Sequence, residues 1–458
     1  MFGSQGLDLL LALLLPMVNA TLPGARVRLN KAALNYVSDI GKAPLERALR
    51  VPVPDFLDQS GEVLQSIRIQ IQQVHVSSPH LKFVAGFGVH VSAMANFTIQ
   101  VFRVLQPLEM LLPVALQADV RVAQASIRTP EVSVSSCFSL FSPARVLDGR
   151  NSSFPALLVP VQNHIQAVLR NKLCLQISSL VQGLNVHLGT LIGLNPVGPE
   201  SQIRYFMANV PIITSDSISL EVRAVLFLLG KPLAPPLDAA SFLWPWPRDT
   251  TGAPATVTLS QQLFDYVLLL MQKAGTLNLD ITGQLSSDNN PLNTSELGQL
   301  IPEVAHLFLQ PRPLVLKVQL GATPVLRLHP NNATLTLQPL VDVLATSSNS
   351  AFQSLFSLDV VVNLKLQFSA SEMKLRGMTS VLGGVQISVA TSNVGSIEVD
   401  QIHTLMCAVF EKPLLYHLNG ILGMGIALPS MVNLHYANPE VSVYEGYVVI
   451  SSGLSYQH

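Results

Sequence analysis

Charge is scarce in this chain. Only 12% of its 458 residues are Asp, Glu, Lys or Arg, against roughly 25% in an ordinary globular domain. With 49% hydrophobic residues beside it, that scarcity excludes a disordered chain, which needs high net charge and few apolar groups. A nucleic-acid partner needs a basic surplus. The 27 basic and 28 acidic residues supply none, so no such partner is expected. Aromatic residues are also few, at 6% with two Trp, and the core falls to aliphatic side chains, with 75 Leu in the lead. Long apolar runs are missing too. The longest charge-free stretches, residues 173–199 and 413–439, are interrupted by Gln, Asn, His, Gly and Pro. Neither reads as the ~20-residue apolar helix that crosses a bilayer, so no stable membrane insertion is expected.

Catalytic spacing is absent as well. The chain carries no Gly-x-Ser-x-Gly elbow, no His-Glu-x-x-His helix and no phosphate-binding Gly-Lys loop. His75, His80 and His90 form the densest histidine group, but they read as strand and turn positions rather than a metal set. Gly420, Gly423 and Gly425 read as a helix end. An enzyme, a metal or a cofactor is therefore not expected, although a Ser-His-Asp set assembled in space is open to any fold.

What is present begins at the N-terminus. Residues 9–15 are an apolar run, Pro16 follows, and Val18-Asn19-Ala20 offers a small residue at a cleavage point. Residues 1–20 read as a signal peptide despite lacking Lys or Arg, and secretion to the extracellular space is expected. Four Asn-x-Ser/Thr sequons at Asn96, Asn151, Asn293 and Asn332 suit a secreted glycoprotein. Ser60-Gly61-Glu62 fits a weak secretory phosphorylation pattern at Ser60. In an oxidising compartment three cysteines imply one disulfide and one thiol. Cys137 and Cys174, both in the first half, are the expected pair, and Cys407 reads as a buried, inert thiol.

Hydrophobic periodicity then gives the elements. A short strand at 27–29 leads to Asn30, a helix cap, and a helix to about residue 50 with Ala33, Val37 and Ile40 on one face. Period-two strands follow around 67–76, 89–101, 116–122 and 132–137. A slip of apolar phase near Gln72-Gln73 marks a bulge. A long helix runs from about 155 to 188 on the stripe Val161, Ile165, Val168, Leu169, Leu173. A strand at 218–224 precedes a Pro-rich linker at 231–247. The second half repeats the order: strand 257–259, a helix from the cap Ser260 to about 274 with Leu263, Val267, Leu270 and Met271 inward, then strand 277–281. An inserted helix at 295–309 follows, then strands 314–320, 335–343, 358–368 and 385–389, a helix from about 398 to 422, and strands 432–436 and 441–450. The first helices start about 230 residues apart and the long ones about 243, an architectural duplication. The fold class is α+β: two curved antiparallel sheets, each a barrel or half-barrel packed by helices.

Charge divides along the same line. Residues 21–235 hold 18 basic and 12 acidic residues, and residues 236–458 hold 9 and 15. The early cluster Arg26, Arg28, Lys31, Lys42, Arg47 and Arg50 allows a mild attraction to anionic head groups.

Several segments now make a recognisable set: Pro23-Gly24-Ala25-Arg26-Val27-Arg28-Leu29 running into Leu34-Asn35-Tyr36-Val37; Leu169-Arg170-Asn171-Lys172-Leu173-Cys174; Leu300-Ile301-Pro302-Glu303-Val304-Ala305; and Gly425-Ile426-Ala427-Leu428-Pro429. In collinear order they resemble the family of bactericidal/permeability-increasing protein, lipopolysaccharide-binding protein and the plasma lipid-transfer proteins, most closely its long PLUNC branch. The resemblance implies an elongated boomerang of two pseudo-symmetric barrels joined by a central antiparallel sheet, each barrel with an apolar pocket for acyl chains. It also places the family's one disulfide on Cys137 and Cys174. The domains then read as a signal at 1–20, an N-terminal barrel at 21–202, a central sheet with linker at 203–255, a C-terminal barrel at 256–430, and strands at 431–458 returning to the central sheet.

The expected function is that of a secreted lipid-binding protein of mucosal innate defence, holding phospholipid or lipopolysaccharide-like amphiphiles by their tails at ~0.8 kcal/mol per buried CH₂. The alternative is a glycoprotein that meets microbes or host partners through its surface. The pocket candidates are Val37, Ile40, Val161, Ile165, Val168, Leu263, Val267, Met271, Leu405 and Val409, each of which also reads as plain core.

Overall fold

The structure, a computed structural model, describes residues 24–58, 65–102, 107–147, 155–235, 252–282, 292–346, 351–430 and 433–457. The expected signal peptide, Ser60 and Asn151 lie outside these residues. Helices and antiparallel strands are segregated rather than alternating, as the α+β class requires. One seven-stranded sheet belongs to the N-terminal half and one nine-stranded sheet to the C-terminal half. A second nine-stranded sheet lies between them.

The central sheet shows the duplication at residue level. Strand Ala25–Asn30 pairs antiparallel with strand Ala255–Ser260, and Val27 faces Val257, 230 residues further along the chain. On the outer sides Val27 pairs with Leu220, and Val257 pairs with Ile450. The outer partners are again 230 residues apart. The sheet therefore draws its two middle strands from stretches the sequence reading gave to the two barrels. Its inner face, with Val222, Leu226, Val257, Leu259 and Ile450, is fully buried.

In the N-terminal half, the strands Gln65–Val76, Gly88–Phe102, Pro107–Gln124 and Pro130–Phe141 form a meander. The register slips between Ile71 and Gln73, where the apolar phase of the sequence changes. Helix α1 (Lys31–Ala48) starts on Asn30, whose side-chain oxygen accepts from the backbone N–H of Ala32 and Ala33. Its rotation corrects the expectation. Ala33, Ser38 and Leu45 are buried, while Val37 is 44% exposed and Ile40 half-buried. Polar ties set this rotation: the Ser38 hydroxyl donates to the Pro79 carbonyl, and the Tyr36 hydroxyl accepts from Tyr456 N–H at 2.6 Å. Helix α2 (Pro155–Gly189) lays Val161, Ile165, Leu169, Leu173 and Ile177 on the sheet at a spacing of four residues. The Cys137–Cys174 disulfide joins it to the last strand, with the Cα atoms 5.8 Å apart.

In the C-terminal half, helix α3 (Gln261–Lys273) buries Leu263, Val267, Leu270 and Met271, the face its 3.6-residue period gives. Ser260 occupies the cap position without a side-chain capping bond, and its hydroxyl reaches the Gly24 carbonyl instead. The inserted helix is two short ones, α4 (Thr294–Leu300) and α5 (Pro302–Leu307). The second long helix is also divided. Helix α6 (Val399–Val409) passes through a π turn at Phe410–Leu414 into helix α7 (Leu415–Met424). Pro413 has no N–H to continue the ladder, which accounts for the break. Several strands are additional to those expected, among them His80–Val84 in the N-terminal sheet, Ser201–Met207 in the central sheet, and Val325–His329 and Lys374–Val381 in the C-terminal sheet.

Candidate functional site

The C-terminal half-barrel encloses an apolar cavity of about 40 Å³. Its floor is the inward face of α3, with Phe264, Val267 and Met271. Its walls are strand residues Leu326, Leu335, Leu366 and Phe368, and α7 closes it with Ile421 and Leu422. Phe264 and Phe368 meet as tilted rings 5.3 Å apart. One charged residue, Arg376, stands on the lining. It is exposed, so its stem borders the apolar space while its guanidinium reaches water. A second void, of about 10 Å³, lies one turn earlier under the same face of α7, against Leu414, His417 and Leu418.

The two ends of α7 differ. Past its C-terminus Gly425 takes φ +74°, a left-handed conformation that favours glycine. A Cβ there would come within 2.7 Å of the Leu375 carbonyl. Beyond it, two buried tyrosines of the central sheet hold the chain. Tyr205 donates to the Ala427 carbonyl at 2.7 Å, and Tyr436 donates to the Pro429 carbonyl. They occupy matching positions in the two repeats, opposite Ala224 and Leu454. Burial pushes both phenol pKa values well above the usual value, so both remain donors.

The sequence-predicted pocket residues scatter over these surroundings. Val267 and Met271 line the cavity. Leu263 and Val409 are fully buried in the same core beside it, and Leu405 packs half-buried against that core. Val161 and Ile165 are buried in the N-terminal core with Val168 against it. Val37 and Ile40 belong to neither core. The strand walls and α7 lay outside the predicted set. Alternation marks such residues as apolar, but which strands curl over α3 is not a local property.

The other chemistry-bearing groups are distributed differently. His90, Asp119 and Ser136 do assemble, in a row across three strands. The carboxylate is the hub: it accepts from Ser136 and contacts His90 Nδ1 at 2.7 Å. The Ser136 hydroxyl bond, then His90, hold the Asp119 pKa below its usual value. Ser136 thus gives its proton to a carboxylate rather than to an imidazole, unlike a nucleophile–His pair. Among the early basic residues, Arg26 pairs with Glu221 and Lys31 with Asp216. Among the sequons, Asn332 is exposed beside a turn, Asn96 lies half-buried in a strand, and Asn293 caps α4 by accepting from Glu296 N–H. Cys407 is free and half-buried, near His403.

Two helix-closed, curled sheets joined back to back by a central antiparallel sheet define the class: this is the BPI fold. The chain belongs to the LBP / BPI / CETP family, whose N-terminal domain matches residues 33–184 and whose C-terminal domain matches residues 198–456. It is 70% identical to human BPI fold-containing family B member 2 over 458 residues, all of both chains. With the mouse protein of that name it shares 65% over 443 residues, 96% of each chain. The crystal structure of lipopolysaccharide binding protein superposes with a TM-score of 0.61 at 20% identity, covering 95% of this chain and 99% of that one.

Proposed function

We propose that this chain is a secreted, non-enzymatic lipid carrier that holds amphiphile tails in the C-terminal cavity and presents the head group to Arg376. The apolar cavity between α3 and α7, with Arg376 as the one charged residue on its lining, carries the reading. Tails supply the affinity through burial, and the guanidinium favours a phosphate or carboxylate head. The volume of about 40 Å³ is far below the roughly 300–1,000 Å³ of ligand pockets, so loading requires the walls to part. Membership of the family supports a lipid-binding role, and the name of lipopolysaccharide binding protein supports an anionic amphiphile as the cargo. The apolar N-terminus and the exposed Asn332 support secretion and N-glycosylation, with Asn96, Asn151 and Asn293 as further acceptors.

Native mass spectrometry of the protein from secretory cells, followed by lipid extraction, tests the reading. A bound mass that leaves with organic solvent and is identified as lipid is the expected result. Protein that stays empty and takes up no phospholipid or lipopolysaccharide from vesicles would overturn it.

A further inference from the structure

We propose that α7 is the door of the C-terminal cavity and that Asn419 is its latch. The proposal rests on the lipid-binding reading and names how the site is opened. Three observations carry it.

The first is free space along the buried face of one short helix. The larger cavity touches Ile421 and Leu422, and the smaller void touches His417 and Leu418, one turn earlier on the same face. The helix thus meets the core over gaps and is held by less packing than a filled interface gives. Within it Gly420 and Gly423 weaken the helix, and a Cβ at either would meet nothing within 4 Å. Packing therefore gives no reason for glycine there.

The second is the pair of ends. The π turn with Pro413 loosens the ladder before α7. Gly425, with its positive φ, follows it. The Tyr205 and Tyr436 hydroxyls then fix residues 427 and 429 to the central sheet. A loosened ladder at one end and a fixed anchor at the other make a hinge.

The third is the polar tie that holds the helix shut. The Asn419 amide pairs with the backbone of Thr379 in both directions: Oδ1 accepts from Thr379 N–H at 2.7 Å, and Nδ2 donates to its carbonyl at 3.1 Å. The Thr379 hydroxyl adds a bond to Oδ1 at 2.8 Å. The side chain thus stands in for a missing neighbouring strand on the edge of Lys374–Val381. His417 Nε2 adds a contact to the Thr276 carbonyl at 2.9 Å. The N-terminal half has the same device: Asn185 pairs with Val132 N–H at 2.8 Å and with its carbonyl at 2.9 Å. There the helix is also bolted to its sheet by Cys137–Cys174. Cys407, on α6, is free, so α7 is held by the apolar packing of Leu414, Leu418 and Ile421 and by polar bonds that water can replace. Swinging it outward parts Leu422 from Gly377 and opens the cavity beside Arg376. At Gly377 even a Cβ would lie 3.5 Å from the Leu422 Cβ.

A latch raises the barrier for loading and unloading alike, and leaves affinity nearly unchanged. The experiment is stopped-flow transfer of a fluorescent C16 fatty acid between phosphatidylcholine vesicles and the full chain. Asn419→Ala is expected to speed uptake and release together by about tenfold, the weight of the lost neutral hydrogen bonds. Thr379→Val keeps the backbone pairing, and about a twofold acceleration is expected; it also serves if Asn419→Ala fails to fold. Asn185→Ala should leave these rates unchanged. Adding Met271→Phe, which fills the cavity, should abolish the fast phase. Wild-type rates in lipid-loaded Asn419→Ala overturn the latch and leave the lipid reading standing. So does a loss of affinity carried by release alone, or a fast phase that survives Met271→Phe. Uptake by neither wild type nor variant overturns the lipid reading itself.

Discussion

The two half-barrels are built to one plan and closed in different ways. In the N-terminal one, α2 is a continuous 35-residue helix whose stripe of apolar residues sits flat on the sheet. Ile165, Leu169 and Leu173 are completely buried, and a disulfide fixes the contact. In the C-terminal one the equivalent helix is broken at Pro413, its second part meets the core over two voids, and apolar packing of Leu414, Leu418 and Ile421 with polar contacts, but no disulfide, ties it down. The same asparagine-to-edge-strand device appears in both, so the difference lies in what was added to it. A covalent bolt and a filled interface make a support, whereas a broken helix over incompletely filled space suits the moving part proposed above. The charge surplus points the other way: the basic half is the tightly closed one, and the cavity lies in the acidic half beside a local Arg376. Net charge of a half is thus a poor guide to where an anionic head group would sit.

The largest effect that would sharpen this contrast is removal of the bolt. Replacing Cys137 and Cys174 by Ser frees a 37-residue separation and should cost about 4 kcal/mol on the loop-entropy estimate. Calorimetry should show the N-terminal transition moving to lower temperature, while the C-terminal one stays. A single unshifted transition would show that the bond does not distinguish the halves.

Next in size is a matched pair of truncations. Leu169→Ala in the filled interface should cost about 3–4 kcal/mol, since its neighbours cannot collapse into the space. Leu418→Ala, beside an existing void, should cost about 2 kcal/mol. Denaturant titration with domain-resolved hydrogen exchange measures both. Equal costs would break the comparison.

The smallest effect concerns pH. Burial raises the Asp265 carboxyl on α3 to about 6. Its folded value lies above the unfolded one, so the folded state binds the proton more tightly. This contribution is fully present below pH 4 and is lost as pH rises through about 6. Asp265→Asn should therefore stabilise the fold at pH 7.4 by about 1 kcal/mol after allowance for the solvent that reaches the side chain, read as a higher melting temperature. It should also flatten the stability profile between pH 4 and 6. A variant whose profile follows wild type would show that Asp265 is not held neutral by burial.

Much of the fold was legible because periodicity survives wherever one face is buried. The bulge at Gln72-Gln73, the inward face of α3 and the stripe of α2 all follow from it. The rotation of α1 does not: hydrophobicity favours Val37, but Ser38 and Tyr36 have hydrogen-bond partners 41 and 420 residues away. The strand Lys374–Val381 hides because its inward positions include Gly377 and Thr379, which leave no run of apolar residues to read. Gly377 is small because α7 approaches there, and Thr379 is buried because Asn419 satisfies it. Only a small part of the cavity was visible for a similar reason. Val267 and Met271 announce themselves on an amphipathic helix, whereas Leu366 and Ile421 join them only through sheet curvature and a helix break.

By itself the sequence determined the local elements, the duplication, the cysteines available to each half and, among the described residues, the absence of a helix long and apolar enough to cross a membrane. These depend on spacings of a few residues and on counts, which the chain carries wherever it goes. The tertiary structure decided which apolar faces become filled core and which keep a cavity, and which asparagine serves as a strand's missing neighbour. Those outcomes depend on contacts between residues up to hundreds of positions apart, whose distances are set only when sheets curl and helices dock.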